Sequence, residues 1–404
     1  MNRTRILHAG VVWVFLTISC LSANGLPAQS QAIKSSSPQE EGFVSSHETC
    51  LVEPSLSVDM GERLVPDVAT SLVTDTLPNT GITAEPTPSD VVARYREAAE
   101  QGDAEAQYNI GRCYYTGEGI KQNYKEAVKW LRQAAAQGHA AAQYDLGCCY
   151  EQGLGLMPDY DKAADWYRRS AQQGLAVAQY QLGTCYRDGR GVAQDFTQAV
   201  HWYRQAAEQG HVAAQCDLGD CFYAGQGVAQ DLAGAVYWYR RSAEQGLAAA
   251  QNSLGFCCQY GQGVEPNIDE AVKWYRRAAG QEYAAAQYNL GNCYYYGQGV
   301  VQNFDEAADW YRKAAEQEYA AAQYRIGYCY DYGQGVPRDH IEAVVWYRKA
   351  AEQGLAAAQY SLGYCYSTGR GVGRSYNEAV SWFRMAAKQG HTEAQKALQL
   401  FGVE

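Results

Sequence analysis

Through most of this chain, small and apolar residues fall on one face of a 3.6-residue period. In AEAQYNIGRCYY, Ala106, Ile110, Cys113 and Tyr114 mark positions i, i+4, i+7 and i+8, which predicts a helix. A Gly-x-Gly stop follows in most units, as at Gly117 and Gly119 or Gly297 and Gly299, supplying the left-handed residue that ends a helix. A second helix, of the type EAVKWYRKAAEQ, opens with Asn, Asp or Ser and a Glu three positions on. Examples are Asn123/Glu126, Asn267/Glu270, Asn303/Glu306, Asp339/Glu342 and Ser375/Glu378, the spacing of a capping box. That helix usually stops at glycine, such as Gly138, Gly210 or Gly354. Glu282 and Glu318 stand in the glycine position of two units. Those turns either differ in geometry or hold a left-handed non-glycine residue at a cost of about 1 kcal/mol.

The pair of helices recurs at a strict period. Tryptophan returns every 36 residues, at Trp130, Trp166, Trp202, Trp238, Trp274, Trp310, Trp346 and Trp382. Cysteine does the same from Cys113 to Cys365. Eight full repeats therefore begin at Ala104, Ala140, Ala176, Val212, Ala248, Ala284, Ala320 and Ala356, with half repeats at 90–103 and 392–404. Two helices of about 12 residues cannot bury an apolar face alone, so neighbouring units must stack into a solenoid. Ala104, Ala106 and Gly111 let backbones approach closely, while Ile110, Tyr114, Trp130 and Leu131 fill the space between them. The expected fold is an all-α solenoid of 18 helices with the tryptophans as structural posts, each costing about 3–5 kcal/mol to truncate if buried.

The pattern fails before residue 90. None of the 33 tyrosines precedes Tyr95, and the first 89 residues carry four basic against nine acidic side chains. Arg3 and Arg5 precede an apolar run, Ala9 to Ile18, and then small residues. This is the layout of a secretory signal peptide, assigned to residues 1–25. An uncleaved N-terminal membrane anchor and a lipoprotein signal through Cys20 are the other readings. Residues 26–89 hold seven of the ten prolines with many Ser and Thr, which marks a disordered acidic linker. The domain of interest is 90–404. Export is expected, with no stable membrane insertion after cleavage. The net charge of −11 argues against nucleic acid, whose recognition draws on a basic stripe.

The repeat AEAQYNIGRCYYTGEGIKQNYKEAVKWLRQAAAQG resembles the Sel-1-like repeat, a 36-residue relative of the tetratricopeptide repeat, over about three quarters of the chain. The resemblance implies a right-handed α-solenoid and a non-catalytic scaffold or adaptor that binds protein or peptide segments. It also implies that positions 2, 5, 9, 12 and 13 of each first helix face a concave groove. In the last three repeats those positions carry Tyr288, Tyr295, Tyr296, Tyr324, Tyr328, Tyr332, Tyr360 and Tyr364. Tyrosine offers large contact area with a hydroxyl, which suits peptide recognition. For position 5, packing between adjacent first helices is an equal alternative.

Other chemistry is weak. Thirteen cysteines in an exported chain suggest disulfides, but equivalent positions on stacked helices lie about 8–10 Å apart, too far to bridge. The periodic cysteines are expected as small buried hydrophobes. The Gly-x-Gly pairs follow helices rather than strands, so capping outweighs phosphate binding. His139, His211 and His391 share one turn position but lie at least two repeats apart, and no metal or cofactor is expected. The chain has neither S-x-x-K nor G-x-S-x-G, the serine-hydrolase signatures. A cell-envelope hydrolase of the β-lactamase-like type, or a peptidoglycan- or glycan-binding protein, is the second reading. An ER-lumen adaptor for protein degradation is the third.

Overall fold

The computed structural model describes residues 87–403. The signal-peptide assignment at 1–25, and all of the linker but its last three residues, lie outside them. The first helix begins earlier than the repeat pattern suggests: α1 spans Pro88–Glu100, with Thr87 as N-cap and Pro88 at the position where a missing N–H costs nothing. Every element among the described residues is a helix.

The first helices of the eight repeats are α2 (Ala104–Thr116), α4 (Ala140–Gln152), α6 (Ala176–Asp188), α8 (Val212–Ala224), α10 (Ala248–Tyr260), α12 (Ala284–Tyr296), α14 (Ala320–Tyr332) and α16 (Ala356–Thr368). The second helices are α3 (Tyr124–Ala136), α5 (Tyr160–Gln172), α7 (Phe196–Glu208), α9 (Leu232–Glu244), α11 (Ile268–Ala279), α13 (Phe304–Glu316), α15 (His340–Glu352) and α17 (Tyr376–Lys388). A last half repeat supplies α18 (Thr392–Leu400). Each helix packs mainly against its neighbours in sequence, as a solenoid requires.

The turns show why the glycines recur. Gly153 ends α4 in the left-handed region and donates to the Cys149 carbonyl. Two residues on, Gly155 (φ 73°) has another role: a Cβ there would lie 2.3 Å from the Tyr124 carbonyl oxygen, at the start of the preceding second helix. Both glycines are therefore needed, the first to stop a helix and the second to let two repeats touch backbone to backbone.

The second-helix starts differ from a full capping box. Asn123 accepts from the amides of Lys125 and Glu126 as expected. Its own N–H does not turn back to Glu126; it donates to the Tyr114 carbonyl at 2.8 Å. The same bond recurs at Asp159, Asp195, Asp231, Asn267, Asn303, Asp339 and Ser375. The cap amide already has a partner in the preceding first helix, so the returning half of the box has nothing to satisfy.

The tryptophan posts are also revised. Trp274 is buried, but Trp130, Trp166, Trp202, Trp238, Trp310, Trp346 and Trp382 are only partly so. They pack on the edges of the core clusters. The residue after each tryptophan is the true core: Leu131, Tyr167, Tyr203, Tyr239, Tyr275, Tyr311, Tyr347 and Phe383 are each no more than 3% exposed. These rings lie on the glycine of the first helix. A Cβ on Gly147 would stand 2.6 Å from the Tyr167 ring, and one on Gly111 would stand 3.1 Å from Leu131.

Glu282 and Glu318 adopt φ of 63° and 64°. They are the non-glycine residues in the left-handed region among those described, so the turn keeps its geometry and the side chain carries the strain.

Candidate functional site

The first helices build one continuous face, and three of its layers were read as a tyrosine stripe. The structure separates them. Tyr288 is buried, its ring 5.9 Å from Tyr311 and 5.4 Å from Tyr319. Tyr108, Tyr144 and Tyr180 are buried at the same position. Tyr324 and Tyr360 are half-buried, tilted against Tyr347 and Phe383 respectively. Position 5 is therefore mainly packing. The ring lies across the core residue of its own repeat, and four times against the residue just before the next first helix.

The open layer lies at positions 9 and 13. Tyr260, Tyr296, Tyr332 and Tyr364 are each between 45% and 49% exposed. Two pairs pack with tilted rings along single helices: Phe256 on Tyr260 at 4.6 Å, and the half-buried Tyr328 on Tyr332 at 4.3 Å. Tyr295 is half-buried, edge-on to Tyr296 at 4.8 Å, and its hydroxyl donates to Gln334 of the next repeat. The buried Arg325 donates to the Tyr296 hydroxyl at 2.9 Å and places its guanidinium 5.7 Å from that ring. Arg370 stands 5.3 Å from the Tyr332 ring while bonding Asp331. These bonds fix the rings before any partner arrives.

The other half of the face is polar and tied to the core. Tyr239 donates to Asp220 at 2.7 Å, and Tyr167 to Glu151 at 2.7 Å. Glu151, Arg190, Asp188, Arg187 and Asp217 form a continuous ion-paired chain across three repeats. Burial pushes Asp145 up to about 6, against the pull of Arg112, His139 and the Tyr108 hydroxyl. Burial and the neighbouring Asp217 push Asp220 up to about 7.

Among the described residues, Cys216, Asp217 and Asp220 bring donor atoms within 4.8 Å of one another, a set that could hold a cation. Its carboxylates already have partners. Arg187 lies 3.2 Å from Asp217, Tyr180 donates to Asp217 at 3.1 Å, and Tyr239 holds Asp220. All eleven described cysteines are free and nine are buried. Burial pushes Cys149, Cys185, Cys221, Cys257, Cys293, Cys329 and Cys365 up to about 12, far from the thiolate range that nucleophilic chemistry uses.

One recurring polar device was not read from the sequence. The fourth residue of every first helix is a buried glutamine: Gln107, Gln143, Gln179, Gln215, Gln251, Gln287, Gln323 and Gln359. Each accepts from the glutamine thirty residues on, at 2.7–2.9 Å. The recurrence of both glutamines was the available signal.

Stacked helix pairs with a rigid face of exposed aromatic rings define a tetratricopeptide-like α-solenoid of the protein-interaction type. The chain belongs to the Sel1 repeat family, which matches it eight times without a gap, from residues 104–139 to 356–391. Proteins of this family generally act as protein-interaction scaffolds and are typically non-catalytic. A solved structure of a protective antigen from uropathogenic Escherichia coli strains, displaying an SLR fold, is 37% identical with a TM-score of 0.67; the match covers 77% of this chain and 67% of that one. A Sel1 repeat protein from Oxalobacter formigenes is 32% identical with a TM-score of 0.60, covering 81% and 98%. No curated protein matches. No described helix is long and apolar enough to cross a membrane.

Proposed function

We propose that this chain is an exported, non-catalytic scaffold that holds a protein segment on its first-helix face, the face the tetratricopeptide similarity makes concave. The observation behind this reading is the open layer of Tyr260, Tyr296, Tyr332 and Tyr364, half-exposed on consecutive repeats, with Tyr296 steadied by Arg325 and Tyr332 by Arg370. A face held rigid before binding loses little ordering entropy when a partner docks. Export rests on the leader pattern at Arg3, Arg5 and 9–18.

The test is affinity capture on the full chain beside a Tyr296→Ala/Tyr332→Ala/Tyr364→Ala variant shown by circular dichroism to be folded. A protein retained by the parent and lost by the variant supports the reading. Equal retention places binding on another face and overturns it. For export, mass spectrometry of the mature chain is expected to find an N-terminus near residue 25; an intact Met1 in the cytosolic fraction defeats that part.

A further inference from the structure

Among the described residues, every second helix but one buries three inward positions against the first helix of its own repeat. Ala127, Leu131 and Ala134 on α3 are fully buried, and their counterparts on α5, α7, α9, α11, α13, α15 and α17 are no more than 3% exposed. A Cβ on Gly147 would stand 2.6 Å from the Tyr167 ring and 3.3 Å from the Ala163 carbonyl oxygen, so the first helix lies directly on this face. Helix α1 is a second helix in the same register, since Arg96 donates to the Tyr114 hydroxyl as Arg132 does to that of Tyr150. Its inward residues Val91, Tyr95 and Ala98 are only half-buried, because no first helix precedes α1 among the described residues. An apolar strip with a tyrosine ring is thus left open where the chain enters the array.

We infer that residues 66–77 of this chain form the first helix that covers α1. The stretch leading into Thr87 contains Val65, Val68, Ala69, Leu72 and Val73, the i, i+3, i+4, i+7, i+8 stripe of an amphipathic helix. Pro66 stands in its first turn, where an absent N–H costs nothing, and Asp67 follows at the positive end of the helix dipole. Pro78 ends the run. Its 12 residues compare with 13 in α2. Nine residues, 78–86, then lead to the Thr87 cap, against the six, 117–122, that join α2 to the Asn123 cap, so the connection is long enough.

The stripe suits the open face. Interior repeats need glycine against the core ring, but a terminal helix has no repeat behind it and can stand off slightly, so Ala69 is small enough to meet Tyr95. Helix α18 of a second copy suits it less, because Gln399 occupies the glycine position and its side chain would meet the ring. Valine, threonine and serine are weak helix formers, and a helix this short is marginal alone. The segment therefore orders against α1 and not by itself. A short covalent connection makes that docking intramolecular, which offsets part of the ordering cost.

Hydrogen exchange of the full chain, read by mass spectrometry, tests this. Amides of 67–77 are expected to exchange at least about tenfold more slowly than those of 40–60 in the same linker. Val68→Asp/Leu72→Asp is expected to abolish that protection and to speed exchange in α1, whereas Ser71→Asp/Thr74→Asp, off the stripe, leaves both unchanged. Circular dichroism confirms that each variant keeps its solenoid. Equal exchange across the linker, or protection that the stripe variant leaves intact, overturns the inference. Free exchange at 67–77 with protection of α1 that rises with chain concentration identifies a second copy as the cover and overturns it as well.

Discussion

Gln137 donates its side-chain amide to the Gln107 carbonyl oxygen at 2.8 Å, across two helices of one repeat. Gln107 passes the interaction on, donating to the Ala99 carbonyl of the preceding second helix at 3.1 Å. One buried side chain thus joins three successive helices. The pattern repeats down the array, as at Gln143, which bonds Ala135 and Gln173. Gln143→Ala removes the bonds to Gln173 and to the Ala135 carbonyl, which keeps the Gly138 amide as donor, and is expected to destabilise by about 1–2 kcal/mol. Urea unfolding followed by circular dichroism measures this, and a change below about 0.5 kcal/mol would show that water replaces the amide.

The core residue, rather than the tryptophan before it, carries the larger packing energy. Tyr203 is fully buried while Trp202 is partly exposed. Tyr203→Ala is expected to cost about 3–5 kcal/mol and Trp202→Ala clearly less. The reverse order in a denaturant series would restore the tryptophans as the posts.

Glu282 and Glu318 each hold a left-handed backbone that glycine occupies in the other six repeats. Glu282→Gly and Glu318→Gly are expected to stabilise by about 1 kcal/mol each, less the entropy glycine adds to the unfolded chain. Thermal melting of each single variant is the check; a lowered midpoint means that the glutamates make contacts that outweigh the strain.

Asp220 sets a pH dependence. Its folded value, about 7, lies above the ordinary value of 3.8, so between these limits the folded state holds a proton that the unfolded state has released. Stability therefore falls as pH rises from about 4 to about 7 and is flat beyond. Asp220→Asn is expected to remove this slope and to stabilise the chain at pH 8 by about 1–2 kcal/mol, after allowance for the solvent that reaches this half-buried group. Parallel unfolding curves at pH 5 and pH 8 decide it; an unchanged slope in the variant rejects the assignment.

The nine buried thiols should resist a thiol reagent at pH 8 and react on denaturation, since burial holds seven of them near 12. Rapid native labelling of Cys257 or Cys293, located by peptide mass mapping, would contradict the packing.

Much of this was legible because a strict period repeats each signal eight times. The helices and their glycine stops follow from local chemistry, and of the two readings the sequence leaves open at Glu282 and Glu318 the structure shows the left-handed one. What the period could not resolve was direction within a helix. Trp202 and Tyr203 are adjacent, both aromatic and both periodic, and only packing shows which one the glycine opposite receives. Tyr288 illustrates the same limit: a position that similarity assigns to a groove is turned inward by the ring of Tyr311. The capping boxes were overread at Asn123, because sequence spacing does not reveal that a carbonyl of the previous helix has already taken the amide. Tyr296, Tyr332 and Tyr364, which the resemblance places on the groove face, are the more exposed rings of the stripe.

The fit of Gly155 against the Tyr124 carbonyl has a consequence for how such an array changes length. Each seam pairs a glycine in one repeat with a helix start in the one before, and both halves recur at the same 36-residue interval. Gain or loss of one whole unit recreates every seam, because the new neighbours present the same two surfaces. Gain of one residue within a turn moves a glycine off its carbonyl and puts a side chain where none fits. The chain is thus open to growth by duplication and closed to small insertions, which accounts for eight repeats in register without a slip.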